Sequence, residues 1–475
     1  MTRAHIIPAV AAVLVASGLT GCFDPAFDQP MCGPGGACPP GLTCSNANVC
    51  VAAMNDAVAN DTLTTDSPDL PDGPLDVDAM CTSVCVDSAT LRECVNGEPM
   101  AMTCAHGCSD ATAPHCRVLV PSNEPLVTTA LLTGVTASID TGTMSAPWQL
   151  DADTGQLVSS LGTTVRAAGT GVQAGIGYAQ DANVGVFTFR RFEIKPGTEI
   201  RVTGTRALVI FAGEDLIVSG RLIVSSVGGV NSTRGPGGGR GGSSSGAATG
   251  CGPGTLGGTA ANNDSGGGGG GAATAGGRGG GSDAGVSPLG GVACGTAELV
   301  PLLGGSGGGR GGGAAGGVGG GGGGAVQLVA LGSLTITGVI QAGGRGGGSG
   351  ATDDAGGGGG AGGGILVEAP VVNITSAGLY ANGGAGGAPG VNGEDGRESA
   401  QQASCGSSPG WPSCDGGLGG AGVQPPTNGS NNCGNPLGTA GGGGSSGRIR
   451  INAGTLNNVG AVISPAATMG SVSYQ

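Results

Sequence analysis

Large rings are nearly missing from this chain: Phe, Trp and Tyr make up 2% of 475 residues. Aromatic side chains bury the most area each, so a chain this poor in them is not built around one large globular core. Lysine is rarer still, with Lys195 the single one among 18 basic residues. A P-loop needs Lys after Gly, and Lys195 is followed by Pro196, which excludes that phosphate cradle. Histidine occupies three positions, none in an H-E-x-x-H arrangement. Charged residues are 11% and the formal net charge is −14, so no basic face is expected to neutralise nucleic-acid phosphates. What is abundant is glycine, 109 residues, together with 16 cysteines. In so glycine-rich a chain, matches to G-x-G-x-x-G follow from composition alone.

Residues 1–21 read as an export signal. Arg3 precedes an apolar stretch from Ile6 to Val15, broken by Pro8 and too short to anchor as a transmembrane helix. Leu19-Thr20-Gly21-Cys22 follows, and here the chain resembles a bacterial lipoprotein precursor. The resemblance implies cleavage before Cys22, lipidation of Cys22 and membrane attachment through the acyl chains. Phe23, standing where an inner-membrane retention Asp would be, implies by the same resemblance an outer-membrane or cell-surface location in a bacterial envelope.

The other cysteines fall into three groups. Cys32, Cys38, Cys44 and Cys50 are spaced by five residues within Gly/Pro-rich sequence and define a small module, 22–50. Residues 51–80 carry seven Asp, from Asp56 to Asp78, with Pro68, Pro71 and Pro74, the composition of an extended acidic linker. Cys81, Cys85, Cys94, Cys104, Cys108 and Cys116 define a second module, 81–119, with a short strand expected around Thr90–Cys94. Cys251, Cys294, Cys405, Cys414 and Cys433 are scattered through the glycine-rich half. In an exported chain all fifteen are disulfide candidates, with the pairing left open and one thiol necessarily odd. A zinc site using His106 and His115 is the weaker competitor. No metal and no cofactor is expected.

Residues 120–205 form a β-rich lead-in with period-two alternation, as at Val184, Val186 and Thr188. Residues 206–475 carry a broken repeat. Apolar residues at 208, 210, 212, 216, 218, 222 and 224 recur at 326, 328, 330, 334, 336, 340 and 342, a constant offset of 118. A third copy runs through Ile365, Val367, Ala369, Val372, Ile374, Leu379 and Ala381, and a partial fourth through Ile449, Ile451, Ala453, Leu456 and Val462. Each copy reads as three short strands. The expected fold is therefore mostly β: a short irregular β-solenoid, parallel β-helix-like, with long polyglycine insertions, preceded by disulfide-rich knots and with little helix outside the signal peptide. An ordinary sandwich of hairpin-like groups is the alternative. The stretch Gly213–Leu222 (GEDLIVSGRL) resembles coils of β-helical bacterial adhesins such as filamentous haemagglutinins. That likeness implies a surface-displayed, adhesive solenoid.

The insertions, near 225–325, 343–364 and 382–447, leave two states open: flexible loops, or packed three-fold polyglycine helices. Four G-x-y triplets from Gly387 to Glu398 are too few for a collagen triple helix and read as coincidence. Asp353-Asp354 and Glu394-Asp395 are the paired carboxylates nearest to glycosidase chemistry, but Gly-rich loops are poor mounts for it, and solvated charge is the plainer reading. Trp411 is a candidate glycan contact, although capping the nearby insertion is the plainer expectation. The chain reads as a non-enzymatic envelope lipoprotein, structural or adhesive. Its partners would be the membrane, through the lipid anchor, and surface glycans or other envelope proteins, with no nucleic acid. A carbohydrate-binding module and a polysaccharide-active solenoid enzyme are the alternatives.

Overall fold

The computed structural model describes residues 42–44, 50–52 and 81–475, apart from 105, 112, 124–128, 144–145, 226–232, 260–263, 283–286, 409–413, 432 and 434–437. Strands dominate, and the one helical element among the described residues is the 3-10 turn Thr129–Leu132. The chain divides into two units, Met1–Ala79 and Met80–Gln475. Of the first, the hairpin Leu42–Cys44 with Cys50–Ala52 is described, paired antiparallel.

The second unit begins with the six-cysteine module. Val84–Asp87, Thr90–Val95 and Glu98–Thr103 form an antiparallel sheet. The strand expected at Thr90–Cys94 is its central one. Asn96 and Gly97 close its second hairpin with φ of 54° and 83°, the primed turn whose twist suits adjacent strands. Too little apolar surface is available to hold this module alone, and three disulfides take over: Cys81–Cys94, Cys85–Cys108 and Cys104–Cys116.

Beyond it, the strands stack in three parallel ladders. The first comprises Val184–Phe189, Ala207–Ala212, Ala325–Ala330, the start of Gly364–Thr375, the start of Arg448–Val459 and Thr468–Gly470. The second runs from Ser138–Asp140 through Arg191–Ile194, Leu216–Val218 and Ser333–Ile336 to the ends of the two long strands. The third runs through Trp148–Asp151, Glu199–Thr203, Arg221–Ile223, Val339–Gln341, Gly378–Tyr380 and Val462–Ser464.

The apolar runs at 208, 326, 365 and 449 are thus hydrogen-bonded neighbours, with Leu208 opposite Val326, Val326 opposite Ile365 and Ile365 opposite Ile449. The offset of 118 is the register itself: Leu216 faces Leu334 and Leu222 faces Ile340. The stacking also continues upstream of residue 206, because Val184–Thr203 pairs strand for strand with the next triplet. In the last copy the register differs by one residue from the sequence expectation. Ile463, not Val462, lies opposite Leu379, and Val462 is 43% exposed.

One face of every ladder supplies the core, with Ile210, Leu216, Leu222 and their equivalents fully buried. Each such side chain contributes about 1.5–3 kcal/mol by leaving water. The first ladder is buried on its other face as well. There Val209, Phe211, Val329 and Leu366 pack under Leu119, Leu299 and Leu302. That double burial explains why Ala207–Ala212 is a continuous apolar run rather than an alternating one.

Antiparallel strands close the N-terminal end. Gly171–Gln173 and Ile176–Gln180 extend the first ladder, and Leu157–Val158 and Thr164–Arg166 the third. The aromatic residues concentrate here, Phe187, Phe189 and Phe192 stacking beside Tyr178. Buried Arg166 lies 5.3 Å from the Tyr178 ring and donates to the carbonyls of Gly155, Ala167, Gly169, Gly171 and Ile176.

Candidate functional site: the polyglycine bundle

All three long insertions leave the third ladder and return to the first, so they emerge at one corner of successive levels. They are ordered. The segment 355–363 shows the rule. Its amides donate in rotation to three neighbours: Gly356 to Thr439 (2.9 Å), Gly357 to Gly348 (2.9 Å), Gly358 to Gly309 (2.9 Å), and then Gly359 to Gly442 (2.8 Å), Gly360 to Arg345 (2.8 Å) and Ala361 to Ser306 (2.9 Å). Its carbonyls accept from three others, with Gly317, Gly320 and Gly323 on one side, Gly267 and Gly270 on the second, and Gly384 and Gly387 on the third. A period of three is that of the polyproline II helix, which has no internal hydrogen bonds and a fully available backbone. Here the neighbouring helices take the place of water, and each interior segment has six of them.

The glycines are a requirement of spacing. A Cβ on Gly267 would stand 2.0 Å from the carbonyl oxygen of Gly309, and one on Gly358 would stand 2.1 Å from that of Gly268. The G-x-y run from Gly387 is broken by a turn at Ala388–Val391, where Gly390 has φ of +78°. Beyond it Gly393 and Gly396 donate to Gly347 and Gly344, so that stretch follows the packing period, whereas Gly387 donates to Gly357 of another segment.

Side chains complete the bundle where backbone carbonyls run out. In segment 276–281, Gly276 and Gly279 donate to Gly291 and Pro288, and Gly277 and Gly280 to Gly443 and Ala440. The third face is met by side chains, with Arg278 and Gly281 donating to Oδ1 of Asn428 and Asn431 at 2.8 Å each. Segment 344–349 repeats the device, its Gly346 and Ser349 amides donating to Asp395 and Asn392, again at 2.8 Å. The signal, an Asn or Asp every third residue at 392/395 and 428/431, stands in the sequence but acquires meaning only once the three-fold geometry is fixed.

Two disulfides pin the bundle, Cys251–Cys294 and Cys414–Cys433. Cys405, a disulfide candidate from the sequence, is instead unpaired and half-buried, and burial pushes its thiol pKa up. Trp411 and Cys22, Cys32 and Cys38 lie outside the described residues. Of Cys44 and Cys50 only the strand backbone is described.

The carboxylate pairs are engaged in fixing segments. Glu394 accepts from Arg397 at 2.8 Å and from the Ser404 amide at 2.8 Å, and the Arg397 guanidinium holds its carboxyl below the usual range. Asp395 caps Gly346, Asp354 accepts from the Ala315 amide at 3.3 Å, and Asp353 is exposed.

A buried polar knot holds the chain that leaves the cysteine module against the first ladder. Glu368, 2% exposed, accepts from the Ser122 amide (3.1 Å), the Ser122 hydroxyl, Gln327 and Asn452 (2.9 Å). Leu119–Val120 also pairs antiparallel with Ser473–Tyr474, and His106 Nε2 lies 3.0 Å from the Leu331 carbonyl oxygen.

Among the described residues no cluster of His, Cys, Asp or Glu could hold a metal ion, and no helix is long and apolar enough to cross a membrane. Comparison with known protein families, with curated proteins and with solved structures returned no match.

Proposed function

We propose that this chain is a non-enzymatic, lipid-anchored envelope protein with a structural or adhesive role. In this reading Cys22 carries the lipid, the first cysteine module and the acidic stretch 51–80 act as a stalk, and the three ladders form a short parallel β-solenoid. The observation that carries it is the bundle: the insertions near 225–325, 343–364 and 382–447 form, in their described residues, a close-packed, backbone-bonded body that offers hardly any reactive side chains. Such a body suits display and contact rather than turnover. The five disulfides among the described residues support an oxidising, extracytoplasmic compartment. Glu394, Asp395 and Asp354, occupied by amide and guanidinium donors, are poorly placed to exchange protons with a substrate.

The test is fractionation of cells expressing the wild-type chain and Cys22→Ser, combined with a protease-shaving assay on intact cells. Release of the variant from membranes, and surface digestion of the wild type, are expected. Membrane retention of Cys22→Ser would overturn the anchoring, and turnover of a polysaccharide by the purified chain would overturn the non-enzymatic reading.

A further inference from the structure

The bundle meets the third-ladder corner at a cleft whose chemistry differs from the rest of the surface. It is open, about 460 Å³ in volume, and lined by Thr205, Arg234, Arg240, Ser243 and Ser245 with glycine backbone between them. We propose that this cleft binds the oxyanion groups of an acidic polysaccharide, with Arg234 and Arg240 as the residues that read the anion.

Arginine elsewhere in the chain is mostly committed. Arg190, Arg191, Arg201, Arg221 and Arg397 each face a carboxylate. Arg166 and Arg448 are wrapped by backbone carbonyls. Arg234 and Arg240 have no carboxylate counter-ion among the described residues, yet they open onto one cleft in a chain of net charge −14. Two guanidiniums lining one cleft repel each other, a cost that an anion bound between them removes. Burial, and then the like charge of Arg240, press the Arg234 pKa below its ordinary value, with the charge of Asp153 opposing them.

The backbone brings the pair together deliberately. Arg234 and Arg240 are six residues apart, and a straight three-fold helix would hold them roughly 19 Å from each other at about 3.1 Å per residue. A turn shortens that path. Gly238 donates to the Gly235 carbonyl at 2.9 Å, Pro236 takes the second position and Gly237 has φ of +74°, the type II pattern. The turn is seated by Gly237 donating to the Thr205 carbonyl at 3.0 Å. A Cβ on Gly237 would meet Ala207 at 2.9 Å, on top of the strained φ, so only glycine fits. Arg240 is fixed in turn by a reciprocal pair with Thr249, its amide donating to the Thr249 hydroxyl at 2.8 Å and its carbonyl accepting from the Thr249 amide at 2.9 Å.

The carboxylate nearest the cleft, Asp153, is already spent. Its oxygens take the Thr205 and Arg206 amides at 2.8 and 3.0 Å, the Thr205 hydroxyl at 3.2 Å, and the Arg206 guanidinium at 3.2 Å. The local balance is therefore positive. Serine hydroxyls at 243 and 245 add donors and acceptors of the kind that match sugar hydroxyls. A polysaccharide is favoured over nucleic acid because the whole-chain charge repels a continuous phosphate track, whereas a single acidic sugar needs only the local site.

This proposal supplies a ligand class for the adhesive reading, but the binding itself is measured on purified protein. A chain that binds the oligosaccharide without supporting cell attachment would sink adhesion and leave the site standing. The purified full chain is titrated calorimetrically with an oligogalacturonate (carboxylate), a heparin oligosaccharide (sulfate) and dextran (neutral). Binding of at least one acidic oligomer is expected, weakening as salt rises, with none for dextran. The double variant Arg234→Gln/Arg240→Gln should lose at least tenfold in affinity with an unchanged melting temperature, and Arg240→Lys should keep most of it. Equal binding by the double variant, or no binding of either acidic oligomer by the wild type, would overturn the site. So would preferential capture of anionic phospholipid vesicles, which would make the ligand a membrane surface.

Discussion

The amide of Gly358 donates to the carbonyl of Gly309 at 2.9 Å, joining two insertions that leave different levels of the stack. The contact is backbone to backbone, and neither residue has a side chain to change without moving the other. At Gly358 an added Cβ would fall 2.1 Å from the Gly268 oxygen, which no rotamer can relieve. Gly358→Ala should therefore destabilise the bundle by about 1–3 kcal/mol or more, as over-packing does in rigid interiors. Gly258→Ala is the control, because the nearest atom to its Cβ is the Ser265 hydroxyl oxygen at 3.5 Å. Restricting the unfolded chain without a clash should leave it neutral or slightly stabilised. Thermal melts of the two variants decide the matter, and equal loss in both would refute close packing at Gly358.

The side-chain acceptors at the bundle's margin make a second prediction. Asn428→Ala and Asn431→Ala each remove the partner of one amide, those of Arg278 and Gly281. A loss of about 0.5–1.5 kcal/mol is expected for each. Hydrogen exchange should accelerate at those two amides, while Gly277 and Gly280, bonded to backbone carbonyls, stay protected. Asn→Asp at either position keeps the acceptor and should retain most of the protection. Unchanged exchange in the alanine variants would show that the side chains are ornamental.

How legible these features were varies with the range of the forces involved. Period-two apolar runs and their spacing of 118 placed Leu208 over Val326 because an in-register parallel stack demands like over like. The slip at Ile463 arose because the last copy has fewer apolar residues to fix the phase, with Asn458 opposite Ile374 and Ser464 opposite Tyr380. The state of the polyglycine could not be decided locally. Gly267 meets Gly356 and Gly441 meets Gly387 only after the strand stack has brought distant loops to one corner. Until then, each block is indistinguishable from a flexible linker. The Arg234–Arg240 cleft was hidden for the same reason, since the turn at Pro236-Gly237 matters only once Thr205 seats it.

The bundle disulfides close loops of different length, with sequence separations of 43 for Cys251–Cys294 and 19 for Cys414–Cys433. Chain-entropy bookkeeping assigns about 4 kcal/mol to the longer and about 3 kcal/mol to the shorter. Replacing each pair by Ser should lower the melting temperature in that order. Reversal of the order would mean that local packing at 414–433, where Cys414 and Cys433 pack with Ala388 and Ala440, outweighs loop closure.

Glu394 couples the bundle to pH. Its hydrogen bonds from Arg397 lower its folded pKa below the ordinary 4.5 of a Glu carboxyl. A carboxyl whose folded pKa is depressed contributes its stabilisation in full above the unfolded value and loses it as pH falls through the folded one. The bond from the Ser404 amide to Oε2 of Glu394 at 2.8 Å should therefore hold at neutral and mildly acidic pH and weaken only in strong acid. The Glu394 amide's bond to the Ser404 carbonyl (3.0 Å) and Arg397's bond to the Ser404 hydroxyl (2.6 Å) keep the segments joined meanwhile. Because Glu394 is solvent-exposed, the change should register locally, as faster exchange of the Ser404 amide, rather than as global unfolding. In Glu394→Gln the Ser404 amide keeps an acceptor but Arg397 loses its counter-charge, so the acid step should vanish from its exchange profile. Persistence of the same step in that variant would show that Glu394 is not the group responsible.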